Sequence, residues 1–442
     1  MRENGVITTR EMRALELNAE YFGISRLLLM ENAGRDVAVE IASRFKPSEG
    51  KIIVFCGLGG NGGDGLVAAR HLVCLGYDVD VVLAGKSKDI ASNEAKVNWN
   101  ALKPLKAINL HEIYDSSVLR KFEAKVVIDA LLGIGLEGSP RPPISQMVRQ
   151  INEMEAFKVA VDIPTGINSD TGEVFGEAVK ADVTITFHKA KPGLLRAKEH
   201  VGELIVRHIG LPPEIERFAG PGDMSIVVKA RQPESHKGDF GRLLVVGGSE
   251  IYSGAPALVA LAALRAGVDL VYIAAPERTA YTISAMSPNL ITLKLEGHYL
   301  SSQDLPIIRR HMRGMTAAVV GPGLGLHKET EDAVGEAIKI VEDERIPLLL
   351  DADGLKAFSK FKRRIGVPLV LTPHAGEYRI LTGEELSQNL KERVVSVQKT
   401  AQDLGAVVLL KSHVDLISDG ERTKLNFTGN PGMTVGGTGD VL

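Results

Sequence analysis

The hydrophobic positions of this chain change period early. Up to residue 45 they are helical. Thr8-Thr9-Arg10-Glu11 predicts a capping box, and Met30, Ala33, Val37, Ile41 and Phe45 recur at the spacing of one buried stripe. From residue 51 short apolar runs alternate with helical stretches. The runs are KIIVFCG (51–57), DVDVVLAG (78–85), AKVVIDALLG (124–133), KVAVDIP (158–164), VTITF (183–187) and ELIVRHI (203–209). Continuous Val/Ile runs between helices predict a parallel sheet covered on both faces, because strands buried on both faces show no polar alternation. The segment LPPEIERFAGPGD (211–223) breaks the pattern with proline, glycine and charge, and reads as a linker. The alternation then restarts: GRLLVVGG (241–248), DLVYIAA (269–275), AAVVGPG (317–323), PLLLDADG (347–354), PLVLTPH (368–374) and AVVLLKS (406–412). The pattern therefore predicts two consecutive α/β domains, 1–218 and 224–442.

Composition narrows the class. A chain of 442 residues holds two or three domains at roughly 150 residues each, and the pattern resolves that to two. The net charge of −3 leaves no basic footprint for nucleic acid or an anionic membrane. No apolar run reaches the roughly 18 residues of a membrane span, and the opening MRENGVITTREMRALE has no apolar signal region. Cys56 and Cys74 form no CxxC pair, which points to a reducing, cytoplasmic setting. The 46 glycines cluster in loops after apolar runs. That placement excludes a helical bundle and points to ligand sites lined by backbone.

In the first domain the run 51–57 leads into Gly57-Leu58-Gly59-Gly60-Asn61-Gly62-Gly63-Asp64-Gly65 and then a helix. The spacing matches GxGxxG, but a nicotinamide dehydrogenase needs an acid at the end of the second strand. Here that strand ends Val82-Leu83-Ala84-Gly85-Lys86. Asp129 and Asp162 stand at two further strand ends, where open α/β sheets bind ligands. An isolated strand-end Asp most often caps a helix or loop; several in one domain read as a site. Asn61, Asp129 and Thr165 make a set of hard oxygen ligands, with too little charge for Mg²⁺ and better matched to a monovalent ion. Gly133, Gly135 and Gly138 form a second phosphate-suited loop.

The motifs LLMENAG, GxGxNGGDG, VIDALLGIGLEG and DIPTGINSDTG resemble the YjeF N-terminal family of NAD(P)H-hydrate epimerases over nearly all of residues 1–218. The resemblance implies a Rossmann-like three-layer αβα fold. It implies binding of the hydrated nicotinamide nucleotide by Gly60, Asn61, Gly62, Gly63 and Asp64, and by Gly133, Ile134, Gly135, Leu136, Glu137, Gly138 and Ser139. It also implies K⁺ at Asn61, Asp129 and Thr165, and substrate contact at Asp162. Asp162 is the candidate general base, since epimerisation at C6 of the hydrated ring needs proton transfer. Leu58 and Gly60 depart from the usual Pro and Asn of the family loop.

The second domain concentrates polar and glycine-rich turns at strand ends: Gly247-Gly248-Ser249, Gly321-Pro322-Gly323-Leu324-Gly325, Asp351-Ala352-Asp353 and Thr372-Pro373-His374. Asn430-Pro431-Gly432-Met433-Thr434-Val435-Gly436-Gly437-Thr438-Gly439-Asp440 places an Asp beside a backbone suited to hold an anion. An Asp there takes a proton from a hydroxyl while a phosphoryl group transfers to it. No GxxxxGK[ST] is present, so this is no P-loop.

HKGxxG, YSGAP, GPGLG, DADGL, TPHAGE and NPGMTVGGTGD, in this order, resemble the ribokinase-like NAD(P)H-hydrate dehydratases over residues 224–442. The resemblance implies substrate contacts at Ala255, Gly323, His374 and Asp440, with Asp440 catalytic. It implies adenine-nucleotide contacts at Lys411, Ser412, His413, Val414, Asp415 and Gly439. The resemblance further implies ADP or ATP as the phosphoryl donor, accompanied by Mg²⁺; a homo-oligomer is expected from the leading helix, which suggests a docking surface. Lys411 to Asp415 replaces the family's KGxxT-like segment, which puts a carboxylate near the nucleotide phosphates unless Asp415 faces solvent. Relatives continue beyond the position of Leu442, so the helix carrying Asp440 is expected to be short. Two other readings stay open: a non-catalytic scaffold, and a ribokinase-class small-molecule kinase fused to a dinucleotide-binding domain.

Overall fold

A computed structural model of the chain describes residues 5–136, 138–228 and 231–442. It divides into two units. One holds the chain up to Glu216 together with Gly220–Val228. The other holds Arg217–Ala219 and the chain from Arg231 onward.

The first unit is built on a seven-stranded sheet: β1 (Ile52–Cys56), β2 (Val79–Leu83), β3 (Ile108–Glu112), β4 (Val126–Ala130), β5 (Phe157–Val161), β6 (Val183–Phe187) and β7 (Glu203–Arg207). The order is β3-β2-β1-β4-β5-β6-β7 and every pairing is parallel. β1, β2, β4 and β6 are buried along their whole length, as strands covered on both faces are. The chain order reverses between β1 and β4, which opens a crevice at their carboxyl ends. The helical start is two helices, Thr9–Tyr21 with the expected capping box at Thr8 and Glu11, and Arg26–Arg44 with Met30, Ala33, Val37 and Ile41 buried.

The second unit carries a nine-stranded sheet: β8 (Arg242–Val246), β9 (Leu270–Pro276), β10 (Ile291–Leu295), β11 (Ala317–Val320), β12 (Leu348–Leu350), β13 (Leu369–Leu371), β14 (Val407–Leu410), β15 (Asp415–Ser418) and β16 (Thr423–Asn426). The order is β10-β9-β8-β11-β12-β13-β14-β15-β16, with only the last two pairings antiparallel. Its reversal lies between β8 and β11. Among the described residues no helix is long and apolar enough to cross a membrane.

The segment 211–223, expected as a linker, is structured. Glu216 pairs with His188 Nε2 at 2.9 Å and accepts from Lys189 Nζ at 2.6 Å. The Ala219 N–H donates to the Leu425 carbonyl at 2.8 Å within the second unit. The helix Pro221–Val227 then returns to the first unit, against Thr9–Tyr21. Pro221 starts that helix, and Gly222 lies so close to the Ala14 carbonyl that a Cβ would stand 1.9 Å from its oxygen. The proline and glycine that read as a break thus serve a docked helix.

The fully buried Asn18 holds this helix: its Oδ1 accepts from the Gly222 N–H at 2.7 Å and its Nδ2 donates to Asp223 at 2.9 Å. Asn18→Ala leaves a buried N–H unsatisfied. The expected cost is about 1–3 kcal/mol, seen as a lower urea midpoint and faster amide exchange in Pro221–Val227; unchanged exchange there would refute the anchoring role.

Candidate functional site

The first unit holds a cleft of about 590 Å³ at the carboxyl ends of β1, β4 and β5. The turns that form it are pressed together. A Cβ on Gly57 would stand 1.8 Å from the Leu131 carbonyl oxygen, so the turns after β1 and β4 meet backbone to backbone. Of the residues expected here, Gly60, Asn61, Asp64, Gly133, Ile134, Gly135, Leu136 and Asp162 line the cleft. Gly62 and Gly63 pack inward, against the Gly57 backbone and the Met30 side chain. Gly138 and Ser139 are not among the lining residues, and Ser139 faces Gly176. Glu137 lies outside the described residues.

Asp129 and Thr165 are both buried and stitch the turn after β4 to the turn after β5. The carboxylate accepts from the Thr165 N–H at 2.8 Å, the Thr165 hydroxyl at 2.7 Å and the Leu131 N–H at 3.2 Å. Burial pushes the Asp129 carboxyl up to about 6, against the pull of these hydrogen bonds. Asn61 stands beside Gly133, and both its Oδ1 and Nδ2 are buried without a partner. A buried side-chain amide with neither polar atom paired among the described residues is unusual and marks Asn61 as a group that calls for a partner. Among the described residues, no group of three or more His, Cys, Asp or Glu side chains is placed to hold a metal ion.

Asp162 sits at the end of β5 with φ of 61°. Its Oδ1 accepts from Lys191 Nζ at 2.5 Å and Thr186 Oγ1 at 2.9 Å. Two more carboxyls line the same cleft. Burial pushes Asp64 well above the usual carboxylate range, and the charges of Asp162 and Glu16 add to the push. Glu16, from the first helix, is raised by burial and then by Asp162. Sequence reasoning missed Glu16 and Lys191. Neither belongs to a glycine-rich motif, and only the folding of distant segments onto one cleft gives them meaning.

In the second unit Asp351, after β12, is buried and accepts from Thr372 Oγ1 and Lys411 Nζ, each at 2.8 Å. Lys411 Nζ also lies 3.9 Å from Glu377. Gly439 stands against Lys411: a Cβ there would be 3.5 Å from Nζ. Asp440, on the short helix Thr438–Val441, is raised by burial and by the charge of Asp351, and lowered by Lys411. Gly323, Ala255 and Tyr252 meet in one place, and a Cβ on Gly323 would stand 2.8 Å from that of Tyr252. His374 caps the helix Ala375–Thr382 through Nδ1, which accepts from the Gly376 N–H at 3.0 Å. Its backbone bridges to Lys411. Asp351 stood in a polar turn of the sequence, but nothing there paired it with Lys411.

The stretch Lys411 to Asp415 is a tight turn. Asp415 begins β15, accepts from the Ser412 N–H at 3.0 Å and from Asn426 Nδ2 at 3.1 Å. Its carboxylate is committed to the hairpin, which answers the question its presence raised. Ser412 accepts from Arg393 at 3.1 Å. The side chains of His413 and Val414 make no hydrogen bond that bears on the site.

Comparison with known proteins adds the family. Residues 26–193 match the model of the YjeF-related protein N-terminus, and residues 243–442 match that of NAD(P)H-hydrate dehydratase. The chain is 45% identical to a bifunctional NAD(P)H-hydrate repair enzyme of Hyperthermus butylicus, over 99% of this chain and 82% of that one. It is 46% identical to the protein of the same description from Pyrobaculum aerophilum, over 99% of this chain and 87% of that one. A solved Bacillus subtilis protein described as an ADP/ATP-dependent NAD(P)H-hydrate dehydratase, co-crystallized with ATP and Mg²⁺, aligns at 28% identity with a TM-score of 0.41, covering 48% of this chain and 73% of that one. The chain belongs to the family of bifunctional NAD(P)H-hydrate repair enzymes, with its YjeF-related part in the first unit and its dehydratase part in the second.

Proposed function

We propose that the first unit interconverts the R and S forms of NADHX and NADPHX, and that the second dehydrates the S form to NAD(P)H. The observation that carries the first half is the cleft carboxylate Asp162, held at one oxygen by Lys191 and Thr186. Asp162 accepts the proton of the C6 hydroxyl. The C6–N1 bond then breaks, its electron pair passing to nitrogen and the conjugated carboxamide, and C6 becomes an aldehyde. Rotation and return of N1 to the other face, with the proton handed back to oxygen, give the other epimer. No atom is gained or lost.

In the second unit Asp440 accepts the proton of the same hydroxyl as its oxygen attacks the terminal phosphorus of ADP or ATP. Lys411, beside Gly439 and Asp351, is the cation for the transferring phosphoryl group. Phosphate leaves with the C6–O pair, and loss of the C5 proton restores the ring. Water is a poor leaving group and phosphate a good one, which is why a dehydratase uses the chemistry of a kinase fold. Mg²⁺ would enter with the nucleotide, held chiefly by its phosphates. K⁺ fits the buried oxygens of Asn61, Asp129 and Thr165. There it would offset the Asp129 charge and fix the turns on which the substrate rests.

Three outcomes are expected. In a mixture of R- and S-NADHX the protein equilibrates the epimers without nucleotide, as followed by chromatography, and Asp162→Asn loses this by about 100-fold or more; retained exchange removes Asp162 as the base. With ADP or ATP the absorbance of the reduced ring recovers, and Asp440→Asn abolishes recovery while leaving epimer exchange intact. In KCl the first unit melts higher than in tetramethylammonium chloride at equal ionic strength, and Asn61→Leu removes the difference; equal melting of the wild type in both salts takes K⁺ out of the account.

A further inference from the structure

The cleft of the first unit places Lys191 among three carboxyls. Glu16 comes from the helix Thr9–Tyr21, Asp64 from the helix Gly60–Cys74, and Asp162 from the turn after β5. Lys191 comes from the turn after β6 and is only 1% exposed. Its ammonium has three N–H donors and the structure supplies three acceptors: Asp162 Oδ1 at 2.5 Å, Thr186 Oγ1 at 3.0 Å and the Phe187 carbonyl at 3.1 Å.

We propose that Lys191 is a positioning residue for the epimerisation: by binding one oxygen of Asp162 it fixes which of the three cleft carboxyls carries the charge and turns the other oxygen of that carboxylate to the substrate. The proposal rests on Asp162 as the base, as assigned above.

The surroundings leave Lys191 this role. Lys189, two residues away, is committed to Glu216, as is His188. Arg13 and Arg26 face the cleft from the first two helices. Arg13 reaches the Ile134 carbonyl, and Arg26 pairs with Glu20. Neither bonds Asp162. Burial first, and then the charge of Asp162, pushes both Glu16 and Asp64 above the usual carboxylate range.

The sign of the pH effect follows. An opposite charge in contact favours the ionised form of a carboxylate, and removing that charge works the other way. The test is the pH profile of kcat/KM for epimer exchange in the full chain, which reports the free enzyme. Lys191→Gln should move the acid limb upward by about 1–3 pH units, with most activity regained on the alkaline side. Lys191→Arg, which keeps the charge, should return the limb to its wild-type position. A uniform loss with an unmoved limb, or full activity in Lys191→Gln, overturns the proposal. Should Lys191→Gln fail to fold, Thr186→Val carries the test by removing the other donor to Oδ1: a smaller upward shift supports the proposal and an unmoved limb overturns it. Asp162→Asn separates the two claims. If it stays active, the base assignment itself fails; if it is inactive while the Lys191→Gln limb is unmoved, only the role of Lys191 fails.

Discussion

Both sites depend on backbone meeting backbone at the ends of neighbouring strands. Gly57 follows β1 and lies against the Leu131 carbonyl after β4; a Cβ would approach that oxygen to 1.8 Å. In the second unit Gly321 follows β11 and lies against the Asp351 carbonyl after β12, where a Cβ would come to 1.9 Å. No side chain fits at such separations, so each pair of turns can close only over glycine. Closure brings the polar residues of successive turns to one edge of each sheet. Loosening either turn would part Asp129 from its neighbours, or Asp351 from Thr372.

On that frame each unit sets a buried aspartate against a buried or half-buried lysine: Asp162 with Lys191, Asp351 with Lys411. Such pairs contribute little net stability, since desolvating both charges offsets most of their attraction. Their value here lies in fixing charge and direction. The two pairs differ in what they leave free. All three donors of Lys191 have acceptors, so its charge serves Asp162. Among the described residues Lys411 Nζ has Asp351 as its one acceptor within hydrogen-bond distance, and it stands next to Gly439.

Much of this was legible in sequence, and the exceptions have physical causes. The central strands announced themselves because burial on both faces favours largely apolar runs. β3 and β10 did not. They lie at sheet edges, where Asn109 and Glu112 in one and Lys294 in the other are exposed and the runs break up. The hairpin β15–β16 is short, half-exposed and antiparallel, so it lacked the helix-spaced rhythm that marked the others. Asp129, Thr165 and Asp162 stood out because the strand-end rule is local: a polar residue after an apolar run is visible in one dimension. Glu16 and Lys191 reach the cleft only through tertiary folding, and a lysine before a proline looks like any surface turn. The segment 211–223 misled because proline and glycine mark a helix start and a close packing contact as readily as a linker.

The backbone of Asp162 shows how tightly its carboxylate is specified. A φ of 61° at a residue with a Cβ costs on the order of 1–2 kcal/mol, and it persists only where the surroundings over-determine it. Here they do. The Asp162 N–H donates to the Ile185 carbonyl at 2.8 Å, while Oδ1 is gripped by Lys191 and Thr186. Both anchors come from β6 and the turn that follows it, the neighbours of β5 in the sheet. An extended backbone at this position would run the chain on along the strand and carry the side chain away from Lys191. The left-handed turn instead ends β5 at a residue whose carboxylate lines the cleft. The strain, the buried lysine and the break in the strand are therefore one arrangement, and a glycine there would satisfy the backbone while losing the carboxylate that Lys191 and Thr186 hold.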